Sequence, residues 1–237
     1  AMDYRYQLLV TGAADAPAAR QEDDVELASA STISQAPGVM VPGVRHVPLA
    51  PGQYQFGLKL TDLNSGRFGI LQGNIAVDDF AGGALALSGL VLADRIEPAS
   101  GPGPFVRWGR LKVLPLPSRL FRRAQPIFVY YEVYGLAAEG GGARYRTTYR
   151  LESLRRDRNV VARIFSAVGE LLTRGEKQGA ITYAFDREQA GDTDPLLEYI
   201  SLDVSDSPAG EYVLTVTLED LHGGGSATRS IPLTLMN

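Results

Sequence analysis

Imidazole is scarce in this chain: His46 and His222 are its two histidines. Hydrolytic chemistry usually sets a base beside a nucleophile, with a third group to orient it. His46 precedes a strand-like stretch and His222 lies in a Gly-rich turn. Neither has those companions in an evident motif, so no catalytic residue is assigned. Asp186, Asp192 and Asp194 fall together in FDREQAGDTDP. Oxygen-rich loops can hold Ca²⁺, but the spacing is not that of an EF-hand and Asp-x-Asp before Pro is ordinary turn chemistry. Asp78-Asp79 offers too few carboxylates. Cysteine is absent, which removes disulfides and thiolate metal sites. The expectation is no metal and no cofactor.

Glu132 is the acid of most interest. It sits in PIFVYYEVYGL (Pro126 to Leu136), where alternation puts Phe128, Tyr130 and Tyr134 on its face. A carboxylate between tyrosines could bind sugar hydroxyls and stack on rings, so Tyr130, Glu132 and Tyr134 form a candidate ligand-binding set. A platform would need two or more exposed, coplanar rings among Tyr130, Tyr134, Trp108 and Tyr145. The plainer reading pairs Glu132 across a hairpin with Arg144, Arg146 or Arg150, because opposite charges on facing strands fix register. Arg119, Arg122 and Arg123 form one basic cluster; Arg155, Arg156 and Arg158 form another. Nucleic-acid binding would want interleaved aromatics and a basic domain. Here only Phe121 interleaves the first cluster and the net charge is −4. Solvated loop charge is the better reading, and no nucleic-acid partner is expected. Gly140 to Gly142 and Gly223 to Gly225 are not phosphate loops, since no GK[ST] follows.

The elements that position these residues are strands. One pattern occurs twice: PGQYQFGLKLTD (Pro51 to Asp62) and AGEYVLTVTLED (Ala209 to Asp220). Each has a Gly turn, then Tyr, then apolar residues at every second position, then Asp-Leu and a turn. Period two with one apolar face marks a half-buried antiparallel strand. Tyr54 and Tyr212 open these strands as a tyrosine corner does, with a hydroxyl bonding back to upstream backbone. Strands Arg67 to Val77 and Ala227 to Leu235 follow the two turns. Asp3 to Thr11 reads as a strand, Gly12 to Asp24 as a long turn, and Val25 to Ile33 and Gly38 to Val47 as further strands. Asp78 to Ala84 reads as a linker.

Beyond it, Leu85 to Ile96 is a strand pair or a bent strand. Phe105 to Leu114 is a strand carrying Trp108, and Ser118 to Arg123 a single turn. Pro126 to Leu136 is the strongest strand signal, being nearly all β-branched or aromatic. Ala137 to Gly142 reads as the hairpin loop joining it to a strand at Ala143 to Leu154. Arg155 to Gly179 fits either a helix or a bulged strand, with strand favoured. Ala180 to Phe185 reads as a strand, Asp186 to Asp194 as a polar loop, and Leu196 to Val204 as a strand.

The chain has 237 residues, 45% hydrophobic and 21% charged, as in an ordinary globular protein. No apolar run approaches the ~20 residues of a membrane helix.

PLPSRLF (Pro115 to Phe121), PIFVYYEVYGL, a Gly loop and YRTTYRLE (Tyr145 to Glu152) together resemble the C-terminal region of bacterial GWxTD-domain proteins. LALSGLVLADRI (Leu85 to Ile96), PGQY (Pro51 to Tyr54) and AGEYVLTVTLED fit that pattern as well. The resemblance spans Leu49 to Leu235. The name-giving Gly-Trp-x-Thr-Asp is absent: Trp108 is followed by Gly109. The resemblance implies the trailing β region of a longer, exported protein and carries over no catalytic residues.

The expected fold is all-β: two tandem Ig-like or fibronectin-III-like β-sandwiches, residues 1–79 and 84–237, the second larger. The expected function is a non-catalytic interaction or structural module that contacts a protein partner or neighbouring domains of the same polypeptide outside the cytoplasm. The alternative is a carbohydrate-binding module built on Tyr130, Glu132 and Tyr134, with a glycan as partner. An enzyme would need a pocket that sets Glu132 beside another acid or a histidine.

Overall fold

A computed structural model describes residues 2–27, 42–155, 163–166, 176–177, 180–190 and 194–237. The protein is all-β, with strands in three sheets and no α-helix among the described residues. It divides into two compact units, Ala1–Asp79 and Phe80–Asn237.

Unit 1 contains β1 (Met2–Thr11), β2 (Pro17–Leu27), β3 (Gly52–Asp62) and β4 (Phe68–Val77). They form one antiparallel four-stranded sheet in the order β2-β1-β3-β4. Among its described residues this unit is a single layer, not two facing sheets. Register puts Tyr6, Leu8 and Val10 of β1 beside Leu60, Leu58 and Phe56 of β3, and these beside Gly69, Leu71 and Gly73 of β4. The segment before β3 runs against this apolar face: the Arg45 guanidinium lies 4.2 Å from the Tyr6 ring centre and Gln21 Nε2 donates to the His46 carbonyl. Among the described residues of this unit, only Tyr6 and Val10 are buried hydrophobics. At roughly 1.5–3 kcal/mol per buried side chain, this sheet gains little from burial compared with unit 2.

The long turn expected over Gly12 to Asp24 is corrected. Ala13–Asp15 is a single 3₁₀ turn and the chain then enters β2 at Pro17. An edge strand need not alternate in hydrophobicity; it is kept from pairing with other chains by charge and by Pro at its start. β2 follows that rule, and its Asp24 takes a two-pronged bond from Arg5 at 2.6 and 2.8 Å. The strand expected over Val25 to Ile33 is the end of β2 as far as Leu27; its remainder lies outside the described residues. Of the strand expected over Gly38 to Val47, residues 42–47 form no strand, and the rest lies outside them.

Unit 2 contains β5 (Ala86–Leu87), β6 (Val91–Pro98), β7 (Val106–Arg107), β8 (Leu111–Pro115), β9 (Leu120–Arg122) and β10 (Ile127–Tyr134). It continues with β11 (Ala138–Glu139), β12 (Gly142–Ser153), β13 (Arg163–Ser166), β14 (Glu176–Lys177), β15 (Ala180–Ala190), β16 (Leu196–Asp203), β17 (Gly210–Asp220) and β18 (Ser226–Met236). One sheet runs β13-β16-β10-β6-β8-β7, with β5 against β10; the other runs β14-β15-β12-β17-β18-β9, with β11 against β12. Alternate residues of each sheet meet in one core. Ile127, Val129, Tyr131 and Val133 of β10 pack with Tyr145, Tyr149 and Leu151 of β12 and with Tyr212, Leu214, Val216 and Leu218 of β17.

Several expected boundaries shift here. Phe105 to Leu114 is not one strand: Trp108 and Gly109 adopt positive φ (51° and 67°) and fold it into the β7–β8 hairpin. Ser118 to Arg123 is not a lone turn, because β9 pairs parallel with the end of β18. Of the polar loop expected over Asp186 to Asp194, Asp186 to Ala190 belong to β15, which pairs with β12 from Gly142 to Glu152; residues 191–193 lie outside the described residues. Arg163–Ser166 and Glu176–Lys177 are strand; the rest of the segment 156–179 lies outside the described residues.

The largest correction concerns β10 and β12. They do not form a hairpin but lie in different sheets. Gly135, at φ 67°, turns the chain out of the first sheet where its Cα packs on the Gly83–Ala84 backbone. Residues 138–143 then make a small hairpin on β12 itself.

Candidate functional site

Tyr130, Glu132 and Tyr134 come together as their spacing requires. They line the outward face of β10, while Tyr131 and Val133 point into the core. The Tyr130 hydroxyl donates to Glu132 Oε1 at 2.7 Å and the Tyr134 hydroxyl donates to Oε2. The Ser88 Oγ accepts from the Glu132 backbone N–H at 2.9 Å, anchoring the strand from β5's side. Burial, reinforced by the Glu132 carboxylate, pushes both tyrosine hydroxyls well above their ordinary titration. A neutral phenol donating to a carboxylate is what this holds in place.

The cluster is closed rather than open. Tyr130 is 2% exposed and packs with Ala93 and Val113. The Phe80 ring stacks on Tyr134 with centroids 4.4 Å apart. Tyr145 is buried in the core and Trp108 is exposed at the β7–β8 tip. The four aromatics do not share an exposed plane.

The pairing expected between Glu132 and the arginines of the next strand is corrected, because that strand belongs to the other sheet. Arg144 pairs with Glu188, Arg150 with Glu152, and Arg146 takes Asp186 through Nε and Nη2 at 2.6 and 3.0 Å. That contact occupies Asp186, whose carboxyl is held below the usual aspartate range by the Arg146 hydrogen bonds. Asp194 Oδ1 lies 3.4 Å from the Gly135 N–H, and Asp192 is outside the described residues. The basic clusters are dispersed as well: Arg122 lies on β9, and Arg123 Nη2 donates to the Ser205 carbonyl. Arg155 is exposed, and Arg156 and Arg158 lie outside the described residues.

Tyr54 and Tyr212 each donate a hydroxyl to a carbonyl four residues upstream, Ala50 at 2.8 Å and Pro208 at 2.6 Å. The turns that end these strands also match. Asp62 Oδ1 accepts from the N–H groups of Asn64 and Ser65; Asp220 Oδ1 accepts from those of His222 and Gly223. Gly66 and Gly224 close the turns at φ 70° and 72°. The histidines fall in separate units: the His46 carbonyl accepts from Gln21, and the His222 N–H donates to Asp220.

Sequence reasoning missed a second polar cluster, buried between the two sheets. Glu198 of β16 is 4% exposed, and its carboxylate accepts from the Tyr145 hydroxyl at 2.5 Å and from Arg187 Nη1. Beside it the Tyr131 and Tyr149 hydroxyls meet at 2.5 Å. Arg187 also covers the Phe185 ring, which stacks on Tyr149. Burial pushes Glu198 above the ordinary glutamate range, against the pull of Arg187 and Tyr145. The signal was present: Leu196, Glu198, Ile200 and Leu202 share one phase, so the acid had to face inward.

Exposed apolar surface gathers on unit 1. Phe68, Ile70 and Leu71 of β4 are 63%, 62% and 59% exposed, and Leu9 and Leu60 are 44% exposed. Gly57, where a Cβ would meet nothing within 4 Å, leaves a shallow depression of about 460 Å³ bordered by Leu9, Thr11, Gln55, Gln72 and Asn74.

No family model and no curated protein matches the chain. Solved structures show distant similarity. One is "AvmM Catalyzes Macrocyclization in Alchivemycin A Biosynthesis", at 8% identity over 52% of this chain and 85% of that one, TM-score 0.33. Another is the Streptococcus agalactiae AgI/II polypeptide BspA C-terminal domain, at 10% identity over 77% of this chain and 58% of that one, TM-score 0.28. A third, "BspA_C_mut", is similar at 10% identity over 78% of this chain and 55% of that one, TM-score 0.33. The chain thus spans little more than half of either BspA chain. Likenesses this distant say nothing about what it binds or does. Among the described residues no helix is long and apolar enough to cross a membrane.

Proposed function

We propose that this chain is a non-catalytic interaction module, with unit 2 as an Ig-like sandwich and unit 1 as the part that meets a protein partner or a neighbouring domain of the same polypeptide. The observation that carries this reading is the distribution of unspent surface. The clustered polar groups of unit 2 are committed to one another: Glu132 to two tyrosines, Glu198 to Tyr145 and Arg187, Asp186 to Arg146. On unit 1, by contrast, Phe68, Ile70 and Leu71 lie exposed on one strand. Apolar side chains concentrated on a sheet margin mark contact surface. The resemblance to the β region of GWxTD-domain proteins supports a bacterial, exported polypeptide as the setting.

The test is site-specific photo-crosslinking in the cells that make this chain. A photoreactive residue at position 70 is expected to give a discrete adduct, and one at Arg150 on the outer face of unit 2 is not. Adducts from position 150 alone, or from neither, would overturn the reading.

A further inference from the structure

Within the unit 1 sheet the two edges are built differently. The β2 edge opens with Pro17 and carries Arg20, Glu22, Asp23, Asp24 and Glu26. The β4 edge reads FGILQGNIAV and carries no charge at all. In unit 2, β15 and β18 are flanked over only part of their length by the short strands β14 and β9, and both carry protecting residues: β15 bears Asp186, Arg187 and Glu188, and β18 bears Arg229 and Pro232. β4 pairs only with β3 among the described residues.

The backbone phase of that edge follows from the turn. The Asp62 N–H donates to the Arg67 carbonyl at 2.8 Å. Antiparallel ladders alternate, so Leu71, Gly73 and Ile75 spend their backbone groups on β3. Phe68, Ile70, Gln72, Asn74 and Ala76 turn theirs outward. A partner must therefore supply an extended strand with matching donors and acceptors.

We propose that this partner is a second copy of the chain, whose β4 adds antiparallel to β4 about a two-fold axis at Gln72 and makes the two sheets one. Charge selects this occupant. A charged residue at the two-fold would face its own copy, and charge along an edge discourages pairing; β4 has none to oppose. Shape agrees. A two-fold normal to the sheet keeps each face on its own side. Centred on Gln72, it sets the outward groups of Ile70 against the partner's Asn74, and those of Phe68 against the partner's Ala76. On the other face the partner's Ile75 falls beside Gly69, where a Cβ would meet nothing within 4 Å. The inference rests on unit 1 being the contact unit and adds what it contacts.

Sedimentation velocity of the purified chain over a wide concentration range tests it, together with amide exchange resolved by residue. A reversible monomer–dimer equilibrium is expected, with protection of the Ile70, Gln72 and Asn74 amides that grows with concentration while Leu71 and Gly73 are protected throughout. Gln72→Lys, which puts two ammonium groups face to face, is expected to weaken the dimer by about tenfold or more. Gln72→Pro, which deletes an outward donor that β3 does not use, does the same. Ala18→Lys on β2 leaves the equilibrium as it was. A chain that stays monomeric, or a dimer indifferent to both position-72 variants, overturns the proposal. If it stays monomeric yet position 70 still crosslinks to a different protein, self-pairing fails and the interaction reading stands.

Discussion

Tyr54 and Tyr212 close the same loop in two separate units, each hydroxyl reaching the carbonyl four residues before it, at 2.8 and 2.6 Å. The glycine two residues before each tyrosine has nearly the same φ, 156° at Gly52 and 155° at Gly210. The pair differs in depth. Tyr212 is fully buried, while Tyr54 is half-buried. Tyr212→Phe strands a carbonyl and is expected to cost about 1–3 kcal/mol; Tyr54→Phe, with water at hand, about 0.5–1.5 kcal/mol. Scanning calorimetry reads both. A unit the size of unit 2 should lose about 2–4 °C per kcal/mol. Equal, negligible shifts would mean that the hydroxyls only decorate the turns.

The aspartates that close the two hairpins give a pH signature. Asp62 is held below the ordinary aspartate range first by the Ser65 hydroxyl, then by the N–H groups of Asn64 and Ser65. At Asp220 burial pushes upward, but the N–H groups of Gly223, Ala137 and His222 outweigh it and the net shift is down. A carboxylate with a lowered folded value binds fewer protons folded than unfolded. Its contribution is therefore full above the ordinary value near 3.8 and is lost as pH falls through the folded value. Asp220→Asn should be less stable than the parent at neutral pH, with the gap closing as pH drops below that range. Urea unfolding at a series of pH values measures it, and a gap independent of pH would remove the charge from the explanation.

The closing hairpins were legible in the sequence because Gly, Tyr, alternating apolar residues and Asp each do one local job. The aromatic strand Ile127–Tyr134 was legible for the same reason, as was the shared face of Tyr130, Glu132 and Tyr134. What could not be read locally was which strand pairs with which. Nothing in residues 137–142 announces that β12 joins the other sheet; that is decided by Gly135 packing on backbone contributed from residues 83 and 84. β2 was hidden because a charged edge strand has no hydrophobic period. Glu198 was hidden for the opposite cause: its apolar neighbours drew attention to the strand and away from its one acid.

Gly135 offers a sharp backbone test. Its φ is 67°, and a Cβ would come within 2.5 Å of the Ala84 carbonyl oxygen, a backbone atom that cannot swing aside. Gly140 has a similar φ of 63° with open space around it. Gly140→Ala should therefore cost only the left-handed penalty of about 1–2 kcal/mol. Gly135→Ala should cost several times that and reduce the yield of folded protein. Denaturant midpoints of the two variants decide it. Similar midpoints would show that the crossover from β10 tolerates movement.

The Glu198–Arg187 pair makes the most demanding prediction. Glu198 is 4% exposed and the Arg187 side chain 22%, so the pair is largely out of water. Removing one partner of such a pair leaves an uncompensated charge, at about 3–5 kcal/mol. Arg187→Met should show that loss near neutral pH. Burial already raises the Glu198 value, and losing Arg187 raises it further. A carboxyl with a raised folded value holds its proton more tightly folded than unfolded, so stability falls as pH rises from the ordinary value near 4.5 through the folded one. The defect of Arg187→Met should accordingly shrink on acidification, opposite in sign to Asp220. Glu198→Gln added to Arg187→Met should recover most of it at neutral pH, because the amide still accepts from Tyr145 without carrying charge. A double-mutant cycle gives the coupling. Additive losses would mean that the two side chains hold the sheets together independently, not as a pair.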